Sequence, residues 1–196
     1  MKKLVLFFAL LFSINTYALT PQEELKDYKF TQNDVGVVQF DNAVDIFDSF
    51  GDYYNENNSL KIENKKPLKL RISPVVLAND DKEVIKNTVD RAFLYAVYNT
   101  FTYSNLDKVT VSSIPVDMDS SKLLKNIYQI KPVTVTREKA LEALNKFNIA
   151  SSFNDLVVLK TDSEILTAGL SHSDKYKELM YNETTLNKYV QFLIKK

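Results

Sequence analysis

Residues 80–104 read DDKEVIKNTVDRAFLYAVYNTFTYS, and the pattern in this stretch decides the fold. Ile85, Val89, Ala92, Phe93, Ala96, Val97, Thr100 and Phe101 recur at helical spacing, and neither glycine nor proline interrupts them. Asp80, with Glu83 three residues on, predicts a capping box at the start, and Asp81 and Glu83 suit the positive end of the helix dipole. The second half carries more apolar surface than a one-sided helix uses. From Ala92 to Tyr98 the tyrosine hydroxyls and the backbone are the only polar groups. Leu94, Tyr95, Tyr98 and Tyr103 therefore form an additional flank. Either the chain's own C-terminal segments cover it, or it meets a ligand, a protein partner or a second copy of the chain.

Strands are predicted on both sides of this helix. In 68–72, Leu68, Leu70 and Ile72 alternate with Lys69 and Arg71, the signature of a half-buried strand. In 108–116, Val109 and Val111 alternate with Thr110 and Ser112, and Pro115 marks an edge or irregularity. A helix of about 23 residues spans roughly 35 Å at 1.5 Å per residue. A nine-residue strand spans about 30 Å. The matched lengths make 68–116 a β-α-β unit, two parallel strands joined by a right-handed crossover.

The rest of the chain adds cover. A short strand is expected at 35–40, and a helix follows with Val44, Phe47, Phe50 and Tyr54 on one face. A third strand at 127–135 pairs with the second in a hairpin. Thr136 caps a helix reaching Phe147, Ser152 with Asp155 caps a short one, and 160–174 reads as polar loop. Residues 175–180 and a last helix from Asn182, with Leu186, Tyr189, Val190 and Leu193 inward, are candidates to cover the tyrosine flank. The expectation is a single α+β domain: a small mixed sheet of three to four strands with helices packed on it.

The N-terminus, MKKLVLFFALLFSINTYALT, has two lysines, an apolar run over 4–12 and a small residue at Ala18. It reads as a cleaved signal peptide of residues 1–18 preceding a domain of residues 19–196. The run is shorter than the roughly 20 residues a membrane span needs. The expected location is the periplasm, or outside the cell, of a bacterium. With 25 basic and 25 acidic residues overall, the charge makes no case for nucleic acid or an anionic membrane. No cysteine is present, which excludes thiol catalysis, iron–sulfur clusters and thiolate zinc sites.

Little else carries chemistry. Gly36, Gly51 and Gly169 are too scattered for a phosphate loop. His172, the single histidine, sits in a polar stretch and is expected to be exposed and idle. Asp41, Asp45, Asp48 and Asp52 form an acidic stripe, with calcium or magnesium binding weighed against simple solvation. No EF-hand spacing accompanies it, so no metal or cofactor is expected. The basic outer face of the 68–72 strand, Lys69 and Arg71, is expected to pair with this acidic helix. Three functions fit: a non-enzymatic binding or protein-interaction module, a carboxylate-dependent hydrolase of envelope material, or a small-ligand binding protein using the tyrosine hydroxyls.

Overall fold

Two proline-broken strands and the helix between them frame the computed structural model, which describes residues 20–54, 58–163 and 165–195. The signal peptide expected at residues 1–18 lies outside the described residues. Among the described residues no helix is long and apolar enough to cross a membrane.

In chain order the elements are α1 (Pro21–Glu24), β1 (Phe30–Gln32), β2 (Val38–Phe40), α2 (Ala43–Phe50), β3 (Leu60–Lys65), β4 (Leu68–Ile72), β5 (Val75–Val76) and α3 (Lys82–Thr102). There follow β6 (Lys108–Ser113), β7 (Val116–Asp117), β8 (Ile130–Thr136), α4 (Arg137–Lys146), a 3-10 turn (Phe153–Leu156), α5 (Asp174–Tyr181) and α6 (Glu183–Ile194).

The β-α-β unit is β4, α3 and β6. β4 and β6 lie parallel, with Leu70 opposite Val111, and α3 packs against β6. Leu68, Leu70 and Ile72 are buried, whereas Lys69 and Arg71 on the alternate face are half-buried. β3 and β8 add antiparallel strands on either side, giving the order β3-β4-β6-β8. The fold is thus α+β with a four-stranded mixed sheet.

Both central strands break at a proline. β4 ends before Pro74 and resumes as β5, and β6 ends before Pro115 and resumes as β7. Proline has no N–H to give to a ladder. The neighbouring amides carry the pairing across the breaks: Ile114 N–H donates to Ile72 O (3.1 Å), Val116 N–H to Pro74 O (2.9 Å) and Met118 N–H to Val76 O (2.8 Å). The expected continuous strand over 108–116 is therefore two strands.

Three further local expectations change. Asp81, not Asp80, caps α3, its carboxylate accepting from the Glu83 amide (2.8 Å). Asp80 instead accepts from the Leu77 amide (2.9 Å) and tightens the turn before the helix. Residues 60–65, unassigned from sequence, form the edge strand β3. The basic residues of β4 do not pair with the acidic helix. Lys69 forms an ion pair with Glu63 across the β3–β4 hairpin (2.9 Å), and Arg71 donates to the Asn58 carbonyl (3.1 Å).

One close approach ties the N-terminal strands to the loop before α5. Val38 N–H donates to Gly169 O (2.9 Å), and Gly169 N–H donates to Val158 O (2.7 Å). Gly169 sits at φ +81°, and a Cβ there would overlap the Gly36 carbonyl oxygen. Gly169→Ala is expected to lower stability in urea unfolding by about 2 kcal/mol or more, from backbone strain plus the clash. Gly36→Ala, with open space around the added methyl group, is expected to cost about half as much.

Candidate functional site

The four flank residues of α3 have different fates. Leu94, Tyr98 and Tyr103 are wholly buried within the chain. Tyr98 donates to the Ala140 carbonyl of α4 (2.9 Å), and its hydroxyl also shares a short hydrogen bond with the Tyr189 hydroxyl of α6. Tyr103 donates to the Leu170 carbonyl (2.5 Å). These three side chains present no surface to a partner. Tyr95, 9% exposed, packs its ring 5.2 Å from Tyr53 and 6.3 Å from Phe47. It lines a cleft of about 320 Å3.

Three parts of the chain build that cleft. The first follows α2, which ends at Gly51 in the left-handed conformation with its amide bonded to Phe47 O (3.2 Å). This turn, favoured by glycine, brings Asp52 and Tyr53 into the cleft wall. The second is α3, contributing Arg91 and Tyr95. The third is the entry to α5 and α5 itself, where Ser173 caps the helix and His172, Tyr176, Met180 and Tyr181 complete the wall. Arg91 cross-links the last two. Its Nε donates to Met180 O (3.2 Å), its Nη2 to Glu183 (3.0 Å), and its guanidinium lies 5.4 Å from the centre of the Tyr181 ring.

His172 is not the exposed loop residue expected from sequence. Its ring stacks 3.6 Å from Tyr176 at an interplanar angle of 1°, and 4.8 Å from Phe50 at 10°. Burial between these rings lowers its pKa to about 4, so the imidazole is neutral near pH 7. Its Nε2 lies 3.0 Å from Asn99 Oδ1, a contact in which the neutral ring donates. The sequence signal for this placement was the N-cap at Ser173, which puts His172 just outside a helix instead of within a free loop.

The acidic stripe is divided among local tasks. Asp48 accepts from the Tyr28 hydroxyl (3.0 Å), Asp45 accepts from the Asn42 side chain (2.7 Å), and Asp52 alone of the four lines the tyrosine cleft. Among the described residues no three of His, Cys, Asp or Glu are grouped to hold a metal ion. The wholly buried carboxylate Asp90 is fully engaged elsewhere, by Lys86 (2.7 Å) and the Tyr128 hydroxyl (2.7 Å).

What distinguishes the cleft is unpaired polarity. The hydroxyls of Tyr95 and Tyr176 and the Nδ2 of Asn99 are buried and have no protein hydrogen-bond partner. Each such group costs about 1–3 kcal/mol relative to a paired one, and buried polar atoms are ordinarily satisfied. The remaining unpaired buried atoms, Arg71 Nε and the hydroxyls of Ser73 and Thr102, belong to β4 with its exit and to the end of α3. Burial raises the pKa of Tyr53, Tyr95 and Tyr176, and the Asp52 carboxylate adds to that rise in all three. The phenols are therefore neutral hydroxyls gathered within reach of one negative charge.

This contrast predicts opposite responses to the same substitution. Tyr98→Phe leaves the buried Tyr189 hydroxyl without its partner and removes the bond to the Ala140 carbonyl, and is expected to cost about 1–3 kcal/mol. Tyr95→Phe removes a hydroxyl that makes no well-formed hydrogen bond in the protein, although it lies near Asp52 and Asn99, and is expected to change stability by less than about 0.5 kcal/mol, or to raise it. Urea unfolding of the two variants checks the difference.

Compared with known proteins, the chain matches no family model, no curated protein and no solved structure.

Proposed function

We propose that this protein is an exported, non-enzymatic binding protein that takes a small polar ligand into the cleft beside Tyr95. The observation that carries this reading is the two unpaired phenol hydroxyls of its wall residues Tyr95 and Tyr176, buried at the fold's expense, with the unpaired Asn99 amide next to the wall residue His172. A binding site keeps such groups because the ligand pairs with them. Aromatic walls with a few converging polar groups suit a small molecule.

The other two readings have less support. Carboxylate-based hydrolysis calls for two acidic groups flanking the scissile bond. Asp52 is the one carboxylate lining the cleft among the described residues, and neighbouring Glu183 is held by Arg91. A protein-interaction flank on α3 loses Leu94, Tyr98 and Tyr103, which are enclosed by the chain. The neutral, doubly stacked His172 serves as wall, not as base.

Thermal-shift measurements on the mature protein test the proposal, using a panel of amines, amino acids, sugars and carboxylates. At a hundred times its dissociation constant a ligand stabilises the folded state by about 2.7 kcal/mol. For a chain of this size that is a rise in Tm of about 5–10 °C. At least one class is expected to produce such a rise, and Tyr95→Phe combined with Tyr176→Phe is expected to abolish it. A panel in which no class raises Tm contradicts the proposal.

A further inference from the structure

The geometry points to a primary ammonium group as the part of the ligand that this cleft receives. This inference rests on the binding role proposed above and adds the chemical class. An ammonium carries three N–H donors and no acceptor, so it needs three acceptors around it. The cleft supplies the Asp52 carboxylate and the Tyr95 and Tyr176 hydroxyl oxygens; neither hydroxyl makes a well-formed hydrogen bond within the protein, and that of Tyr95 lies close to Asp52 and Asn99. The walls are the rings of Tyr53 and Tyr181, whose faces attract a cation. Arg91 already rests its guanidinium over Tyr181, so one cation sits on this wall as the protein folds.

The charge balance favours the same class. Arg91 is compensated by Glu183 at 3.0 Å. Lys175 and Lys177, on the outer side of α5, pair with Asp155 (3.7 Å) and Asp174 (2.8 Å). His172 is neutral. Among the described residues Asp52 forms no ion pair with a basic side chain, which leaves the cleft with one uncompensated negative charge. An anionic ligand would meet that carboxylate, while the one lining cation is already engaged. A neutral polyol would leave the charge unanswered. The volume, about 320 Å3, admits an alkyl amine of several heavy atoms. Such a group is presented equally by a free amine or by a lysine side chain.

The test is a titration of the 15N-labelled mature protein, followed by NMR at constant ionic strength. The probes are n-butylammonium chloride, n-butanol, sodium butyrate and methyl α-glucoside. Butylammonium is expected to saturate, with shifts centred on Tyr95, Tyr176 and Asp52, and butanol and butyrate are expected to leave these signals in place. Asp52→Asn, at an exposed position, is expected to weaken butylammonium binding about tenfold without changing the spectrum elsewhere. Nα-acetyl-lysine methylamide against its Nε-acetylated form separates the sources. Binding of the first tighter than butylammonium identifies a lysine-bearing partner, and equal binding identifies a free amine. If methyl α-glucoside or butanol saturates the cleft and butylammonium does not, the ammonium class is wrong and the binding role stands. If butylammonium binds equally well to Asp52→Asn, the inference is also overturned. If none of the probes binds, the binding role and the ammonium class fail together.

Discussion

From Ala92 to Phe101 the central helix is buried all round, and the neighbouring elements are held in place by what they bury against it. β4 and β6 meet it from the sheet side. Phe47 of α2 lies against Tyr95, Phe153 of the 3-10 turn against Tyr98 and Phe101, and Tyr189 of α6 against Tyr98. Each fully buried large apolar side chain contributes about 1.5–3 kcal/mol, so no one of these elements is stable without this shared surface. The helix's exit is secured in the same way. Arg137 places its guanidinium 5.2 Å from the Phe101 ring and 5.1 Å from the Phe153 ring, and donates to the Ser104 and Leu106 carbonyls beyond the helix's last turn.

Enclosure on every side sets a strict rule for polar atoms. Most obey it locally. Thr100 donates back to Ala96 O (2.7 Å), Ser104 to Thr100 O (2.6 Å), and Ser113 on β6 to Val89 O (2.9 Å). Against that background, unpaired hydroxyls at Tyr95 and Tyr176 and an unpaired amide at Asn99 are a local departure; the two tyrosines line the cleft that α2, α3 and α5 leave, and Asn99 contacts its wall residue His172. The fold requires Tyr98 and Tyr103 to bond as they do. It requires of Tyr95 only its ring. That difference links the packing of the helix to the binding role and to the ammonium class inferred for the cleft.

The architecture was legible because its signals are local and repeated. Alternation over 68–72, an uninterrupted helical period over 85–101 and caps at Thr136 and Ser152 each lie within one element. β3 was not legible. Leu60 and Ile62 give two alternations before the register shifts between Ile62 and Asn64, and an edge strand has a partner on one side only. Choosing between Asp80 and Asp81 as cap depended on the turn made with Leu77, which adjacent identical residues do not reveal. The cleft was half legible. Tyr95 was singled out together with Tyr98, three positions on. Only tertiary packing separates them, since Tyr98 meets α4 and α6 and Tyr95 meets an opening. His172 and Asp52 gave no signal of meeting, because Gly51, Phe50 and Tyr176 place them from opposite parts of the chain.

Amide hydrogen exchange tests the central claim, that the second half of α3 is the common core on which sheet and helices depend. If it is, the amides from Val89 to Phe101 exchange only through global unfolding, with protection free energies equal to the stability measured by denaturant. Those of α2 and α5, at the rim of the cleft, exchange through smaller openings. Exchange of residues 92–101 at rates matching α2 or α5 would contradict the account, because the helix would then open without taking the rest of the fold with it.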